Sequence, residues 1–517
     1  MFCGSAAIFG VIAAPVPASK TLLLVILFVL RPAAAPAASI ELVSGRVLQA
    51  ELVGETESHV ALRVEQVGTS MAMQLPKSRI HAIREDGVER VLTAKPVINE
   101  PARRPVIRQR QSESEEERPE PEDASALAST SMRAMAFRGD YDGCFRTAVP
   151  PQPWRTGDRR WLWTLALQGT SNASPVVNGD RIFCCEEPNT LVCADRRSGE
   201  ELWRASNSLS DAGQGGEPHR PNWIATYGWT SPTPITVDDR VYIACGNGVV
   251  AAYDLAGERQ WITTVEPGGR FHGTAASPCL IDDVLVVYMA AGSGGRYAGI
   301  DVLSGRQRWQ CRSAITQGSL VPLAAAGTTW ALSSGGVLFD PRTGTIAVDH
   351  KTLFGDKNSA AFLGKNWGAT VVVDGSVAYF SNHTADTNNT LMVAIDFADP
   401  RQPQLLWQTP TGGRIGASHL LHDGLLYLAG GRCLDAATGA TLYEGQAGKA
   451  SYSSLVLFGD VIIQFGKKDA TIWHPGRRYR EIARFPHGFE DFIASAVAVG
   501  PVFYFRDRHG LHCIATR

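Results

Sequence analysis

Four stretches of the chain share one short grammar: CADRRSGEELW at 193–203, GIDVLSGRQRW at 299–309, LFDPRTGTIAV at 338–348 and CLDAATGATLY at 433–443. Each has an apolar pair, an Asp, two variable residues, Ser or Thr, and Gly. Four residues after the Gly comes Trp or a large apolar substitute. Three further copies are looser. LAGERQW at 255 is one residue short between Asp254 and Gly257, AIDFADPRQPQLLW carries an insertion, and ATIWHPGRRY has lost the Asp. A supersecondary unit repeated along a chain cannot bury its apolar face alone and must stack on its neighbours. The repeat therefore dictates an architecture built from like parts.

A second pattern precedes each element. NASPVVNGDRIFCC, TSPTPITVDDRVYIAC, ASPCLIDDVLVVYM and ATVVVDGSVAYFS open with small polar residues, run into an apolar strand, break at a Gly or Asp turn and resume as a second apolar strand. ASHLLHDGLLYLAG, SSLVLFGDVIIQFG and ASAVAVGPVFYFR repeat the order. Two strands here and two around the Asp-Gly element make four per unit, the size of a propeller blade. Eight units are expected, so the fold class is all-β: an eight-bladed β-propeller of four-stranded blades, preceded by a small β-barrel. The eighth unit, from Ala494, stops after its third strand, whereas WLWTLAL at 161–167 has fourth-strand character and no blade before it. Joining the two closes the ring without an open strand edge. Within the element, Gly supplies the freedom a tight turn needs. The Asp accepts turn N–H groups, and Trp203, Trp261, Trp309 and Trp407 cover the seams between neighbouring blades.

Composition divides the rest. Lys20 and the apolar run TLLLVILFVL, followed by RPAAAPAAS, read as an export signal over 1–38. The run is about half the length a membrane span needs. Membrane attachment is expected only through an uncleaved signal. Residues 39–95 alternate apolar and polar with period two, four or five short strands of a small Sm-like or SH3-like barrel. Residues 96–135, with ARRPVIRQRQ and SESEEERPEPED, cannot bury enough apolar surface to fold and read as a flexible linker. The propeller fills 136–517. The net charge is −2 and no Lys/Arg block occurs, which excludes a nucleic-acid footprint. Most of the ten Cys sit singly in strand-like stretches, where Cys behaves as a small hydrophobe.

The repeats resemble the tryptophan-docking repeats of the PQQ-type (quinoprotein-like) β-propellers and those of the BamB-like assembly factors. The leader FRGDYDGCFRTAVPPQPW resembles the opening of exported bacterial members. The resemblance implies a place in the bacterial cell envelope or periplasm and a protein partner there. In its enzymatic branch it implies PQQ and Ca²⁺ on the propeller axis, a catalytic Asp and a disulfide between adjacent Cys. Cys184–Cys185 is a vicinal pair, but it ends a strand in RIFCCEE, where side chains alternate faces. No haem motif C-x-x-C-H, zinc-protease H-E-x-x-H, EF-hand loop, Walker A sequence or nucleophile elbow occurs. No catalytic residue, metal site or cofactor is therefore expected.

What remains is a surface. Loops between blades, and between second and third strands, gather on one face around the axis. Trp229, Arg270, His272, Asn366, Trp367, Arg414 and Tyr452 are expected there as binding residues. SNHTADTNN at 381–389 adds Asn and Asp, and the insertion 206–229 is placed as a roof. The expected function is an exported, non-catalytic binding or scaffolding protein. The alternatives are a PQQ-dependent oxidoreductase and a carbohydrate- or polymer-binding module.

Overall fold

The computed structural model describes residues 38–42, 47–56, 59–66, 69–77, 80–85, 88–92 and 133–517, except 216–227, 267–273, 292–293, 314–315, 355–368, 384–389, 412–415, 446, 449–451 and 490–493. The chain divides into two units, 1–113 and 114–517. The export signal lies outside the described residues up to 37, and Ala38 opens the first strand.

In the first unit six strands form one antiparallel sheet. Its chain order is Ala38–Leu42, Val47–Glu55, His59–Gln66, Thr69–Pro76, Ile80–Glu85 and Val88–Val91. The first strand lies between the second and the fifth. Period-two alternation sends Ala38 and Ile40, and Val60 and Leu62, into a shared core; Ile80 and Ile83 join it across a register shift opposite Glu41 and Leu42.

The second unit is a β-propeller. Among the described residues it holds eight antiparallel sheets, at 176–206, 235–264, 279–313, 320–348, 372–410, 420–443, 456–486 and 497–515. Within each of the first seven, four strands pair in chain order. The last has only three strands from its own stretch; Trp161–Ala166 supplies the fourth by pairing with Gly510–Ala515. Arg506, fully buried, fastens that junction. Its guanidinium donates to the carbonyls of Gly169, Ser171 and Cys185 at 2.8, 2.9 and 3.2 Å. The stretch expected to be linker up to 135 also contributes structure. Arg133 and Ala134 pair with Asn178 and Val177 on the inner side of the first sheet, while 96–132 lie outside the described residues.

The recurrent element has the same construction in three of its four full copies; at the fourth, Asp340 accepts from the backbone and guanidinium of Arg342 while the Thr343 hydroxyl donates to Thr345. Asp195 Oδ1 accepts from the backbone N of Arg197 and Ser198 and from the Ser198 hydroxyl. Asp301 and Asp435 repeat the arrangement with Ser304 and Thr438. The Gly then turns with positive φ, 74° at Gly199 and 70° at Gly305, which a residue with a Cβ adopts only with strain. Each Trp meets the turn of the following sheet. The indole N–H of Trp203 donates to Leu255 O at 3.1 Å, Trp261 to Val302 O at 2.9 Å, Trp309 to Pro341 O at 2.6 Å and Trp407 to Ala436 O at 2.9 Å. The turn glycines lie flat against these rings. A Cβ at Gly305 would sit 2.5 Å from the Trp261 ring, and one at Gly257 2.9 Å from Trp203. The short copy at 255 therefore still docks. Trp163, on the strand that completes the last sheet, meets Gly199 in the same way.

The seams predict their own test. Trp203→Ala and Trp309→Ala each lose a half-buried ring and a hydrogen bond, with an expected cost on the order of 3 kcal/mol. Gly305→Ala, which adds one methyl group against Trp261 at positive φ, should destabilise as well, although it enlarges rather than truncates. Chemical denaturation of the three variants measures this; near-neutral values at all three would show that the seams contribute nothing.

Candidate functional site

The sheets meet at the axis through one repeated contact. A Ser or Thr stands just before each inner strand, and its backbone N–H donates to the hydroxyl of its counterpart in the next sheet. Ser174 donates to Thr233 at 3.0 Å, Thr233 to Ser277 at 3.0 Å, Ser277 to Ser319 at 3.1 Å and Ser319 to Thr370 at 2.9 Å. Thr370 donates to Ser418 at 2.9 Å, Ser418 to Ser454 at 3.2 Å and Ser454 to Ser495 at 3.1 Å. Ser495 returns to Ser174 at 2.9 Å and closes the circle. All eight residues are buried. These are the small polar residues that open each unit in the sequence.

The space inside the circle is occupied by the chain itself. Residues 133–145 enter beside the first sheet, turn, and leave as Cys144–Phe145, paired in parallel with Leu457 and Phe458 of the seventh. Arg138, Gly139, Tyr141 and Gly143 all have φ between 58° and 78°, so the segment folds back tightly. It touches sheets around the ring. Met135 O accepts Thr236 N at 2.7 Å, and Tyr141 Oη accepts Leu280 N at 3.1 Å. Arg138 Nη2 donates to the carbonyls of His419 and Leu455 at 2.7 and 2.9 Å. Arg138 is fully buried with no carboxylate in contact, and burial pulls its guanidinium down to about 10, still charged at neutral pH. Burial first, and Arg138 second, pull the His419 imidazole down to about 3. His419 is thus neutral, with Nε2 2.8 Å from the Ser381 hydroxyl. Gly143 has no room for a Cβ because the Arg138 guanidinium lies against it.

Above this plug the circle opens into a bowl whose void, counted to its mouth, is about 510 Å³. Six of the ring residues line it, with Phe137 of the plug below and Asn172, Ser231, Gln317 and Tyr452 around it. None of the described lining residues carries a carboxylate, amine, guanidinium or imidazole. Among the described residues no three His, Cys, Asp or Glu side chains come together as a metal site.

The residues singled out in the sequence fall in three places. Tyr452 lines the bowl and is 49 % exposed. Trp229 does not present its ring to solvent. It is 5 % exposed, and its carbonyl accepts Gly246 N at 2.7 Å. Its burial follows from the role of its segment: Thr230, the next residue, is tied through N–H and hydroxyl to Glu187 Oε1 at 2.7 Å each. Arg270, His272, Asn366, Trp367 and Arg414 lie outside the described residues, as do 384–389 of the polar loop and 216–227 of the insertion. Cys184 and Cys185 point to opposite sides of their strand. Cys184 packs in the core shared with the last sheet and Cys185 in the core shared with the second. Both are free thiols. Burial pushes Cys184 up to about 12 and Cys185 well above its ordinary value, which leaves both unreactive. The plug and the hydroxyl circle were not among the expected site residues. The Ser and Thr of the circle left a visible signal in their recurrence; FRGDYDG stood out only as part of a leader resembling related propellers, with nothing in it to mark an axial plug.

The fold and its axis define a propeller of the PQQ-like class, and the sequence places it more narrowly. Residues 154–319 and 220–443 match the family model described as outer membrane protein assembly factor BamB. Together these matches span more than half of the chain, which belongs to that family. No curated protein sequence matches it. Among solved structures, quinohemoprotein alcohol dehydrogenase from Comamonas testosteroni superposes with a TM-score of 0.52 at 13 % identity, covering 76 % of this chain and 82 % of its own. BamB from Moraxella catarrhalis gives 0.49 at 14 %, covering 68 % and 96 %. At these identities the likeness is one of fold.

Two measurements test the site. His419 takes up its proton near 6.5 when unfolded and only near 3 when folded. The unfolded state therefore binds more protons across that window, and stability rises with pH there. Acidification from pH 7 to pH 4 should lower the melting temperature, and His419→Gln should flatten part of that slope. The second measurement concerns the thiols. Cys184 and Cys185 should resist alkylation in the native protein and react separately after unfolding, without reductant. Recovery of a Cys184–Cys185 disulfide peptide would contradict this assignment.

Proposed function

We propose that the chain is an exported, non-catalytic binding or scaffolding protein of the bacterial cell envelope, in which the propeller face around the axial bowl holds a protein partner. One observation carries the reading. The axis is spanned by the chain's own residues 133–145, and the described residues that wall the bowl above them present hydroxyls and amides rather than charged side chains. A quinone site with Ca²⁺ calls for carboxylate ligands, and the described bowl residues offer none. Membership of the family described as an outer-membrane assembly factor supports a place among envelope proteins and a partner of protein nature.

Photo-crosslinking from position 452 in the native host envelope tests the reading. A reproducible protein adduct is expected at Tyr452, and a control position on an outer strand, such as Leu405, should give none. PQQ- and Ca²⁺-dependent dye reduction by the purified protein would overturn the non-catalytic assignment in favour of an oxidoreductase.

A further inference from the structure

The hydroxyl circle does more than join the sheets. Each of its eight hydroxyl oxygens accepts one backbone N–H from the preceding sheet. A hydroxyl has one hydrogen to donate and two acceptor positions. Among the described residues none of these eight hydrogens has an acceptor in the protein. Six of the hydroxyls line the bowl. Its floor is thus a ring of unused donors, held rigidly because each oxygen is fixed by a backbone hydrogen bond.

The walls add the opposite polarity. Gln317 Oε1 is buried and receives no donor. A buried acceptor left unsatisfied carries a desolvation cost that a ligand donor would remove. The occupant must therefore both accept from the circle and donate to Gln317. A carboxylate or phosphate dianion accepts only. The cation of the plug, Arg138, is buried and does not line the bowl, so it offers no partner to an acidic group there. Two aromatic faces complete the lining: Phe137 below and Tyr452, half exposed, at the side. Hydroxyl and amide groups of both polarities beside aromatic rings, with no charged side chain among the described lining residues, suit one ligand chemistry. Its molecules carry alternating O–H donors and acceptors on their edges and C–H groups on their faces.

We propose that the axial bowl is a binding site for a neutral saccharide, whose ring lies against Phe137 and Tyr452. Its hydroxyls accept from the serine and threonine circle and donate to Gln317. The inference rests on reading the propeller face as a binding surface and specifies a ligand for the bowl within it.

Titration calorimetry on the full-length mature protein tests the site. The probes are maltotriose, cellotriose, mannotriose and triacetylchitotriose, with trigalacturonate as the acidic counterpart. At least one neutral trisaccharide should bind saturably with one-to-one stoichiometry. Gln317→Ala and Tyr452→Ala should each weaken it about tenfold, the effect of one lost polar or ring contact. Neither variant should shift the melting temperature by more than a degree or two, since neither residue belongs to the circle. Absence of binding by all four neutral probes overturns the proposal. So does binding of trigalacturonate alone, or binding unaltered in both variants. A protein adduct at position 452 that persists while every saccharide fails would remove this site and leave the protein-binding reading in place.

Discussion

Eight backbone N–H groups donating to eight hydroxyls around one axis hold this propeller together. A sheet can be added or lost from a linear stack, but a circle of hydrogen bonds has no end. Each member is at once donor through its backbone and acceptor through its side chain, so omission of one leaves two buried groups unpaired. Such groups cost more than a formed hydrogen bond contributes. The requirement explains why a small hydroxyl residue stands before every inner strand. A larger side chain would fill the bowl, and alanine would leave the neighbouring N–H without its acceptor.

The outer rim solves a different problem with different chemistry. There the sheets diverge, and the gap is closed by an indole lying on a glycine turn. The two contacts divide the radius: short polar side chains where the strands crowd together, large rings where they spread. The sixth sheet, which lacks the Trp, compensates in kind. Tyr443 packs against Tyr479 at the sixth seam, with ring centroids 5.9 Å apart. Between rim and axis the strands alternate so that successive residues serve opposite seams, as Cys184 and Cys185 do. That alternation gives their adjacency in sequence a purely structural meaning.

Repetition made most of the second unit legible from its amino acids. The Asp-x-x-Ser-Gly element, the strand pairs and the lone fourth strand at 161–167 all carry periodic signals, and periodicity is what a sequence displays directly. The axial plug has none. Arg138 looks like a loop cation; only the carbonyls of His419 and Leu455, about three hundred residues away, make it a buried one. Trp229 failed as a surface residue for the same reason, since the turn at Gly246 covers it. The hydroxyls of the circle were visible, yet each alone resembles turn punctuation. Their meaning lies in the return from Ser495 to Ser174, a contact between residues at opposite ends of the domain.

That return also fixes an order of events. The strand 161–166 is made early, but its partner 510–515 comes about 350 residues later and is the last described strand of the propeller. Ser174 likewise waits for Ser495. Until residues 510–515 arrive, an almost complete propeller carries two unpaired strand edges, one at each end of the growing arc. Contacts of such sequence separation form late and slowly, and open edges invite pairing with other chains. A chain built this way cannot mature in pieces as it emerges. It requires a period of protection that lasts until residues 510–515 are free.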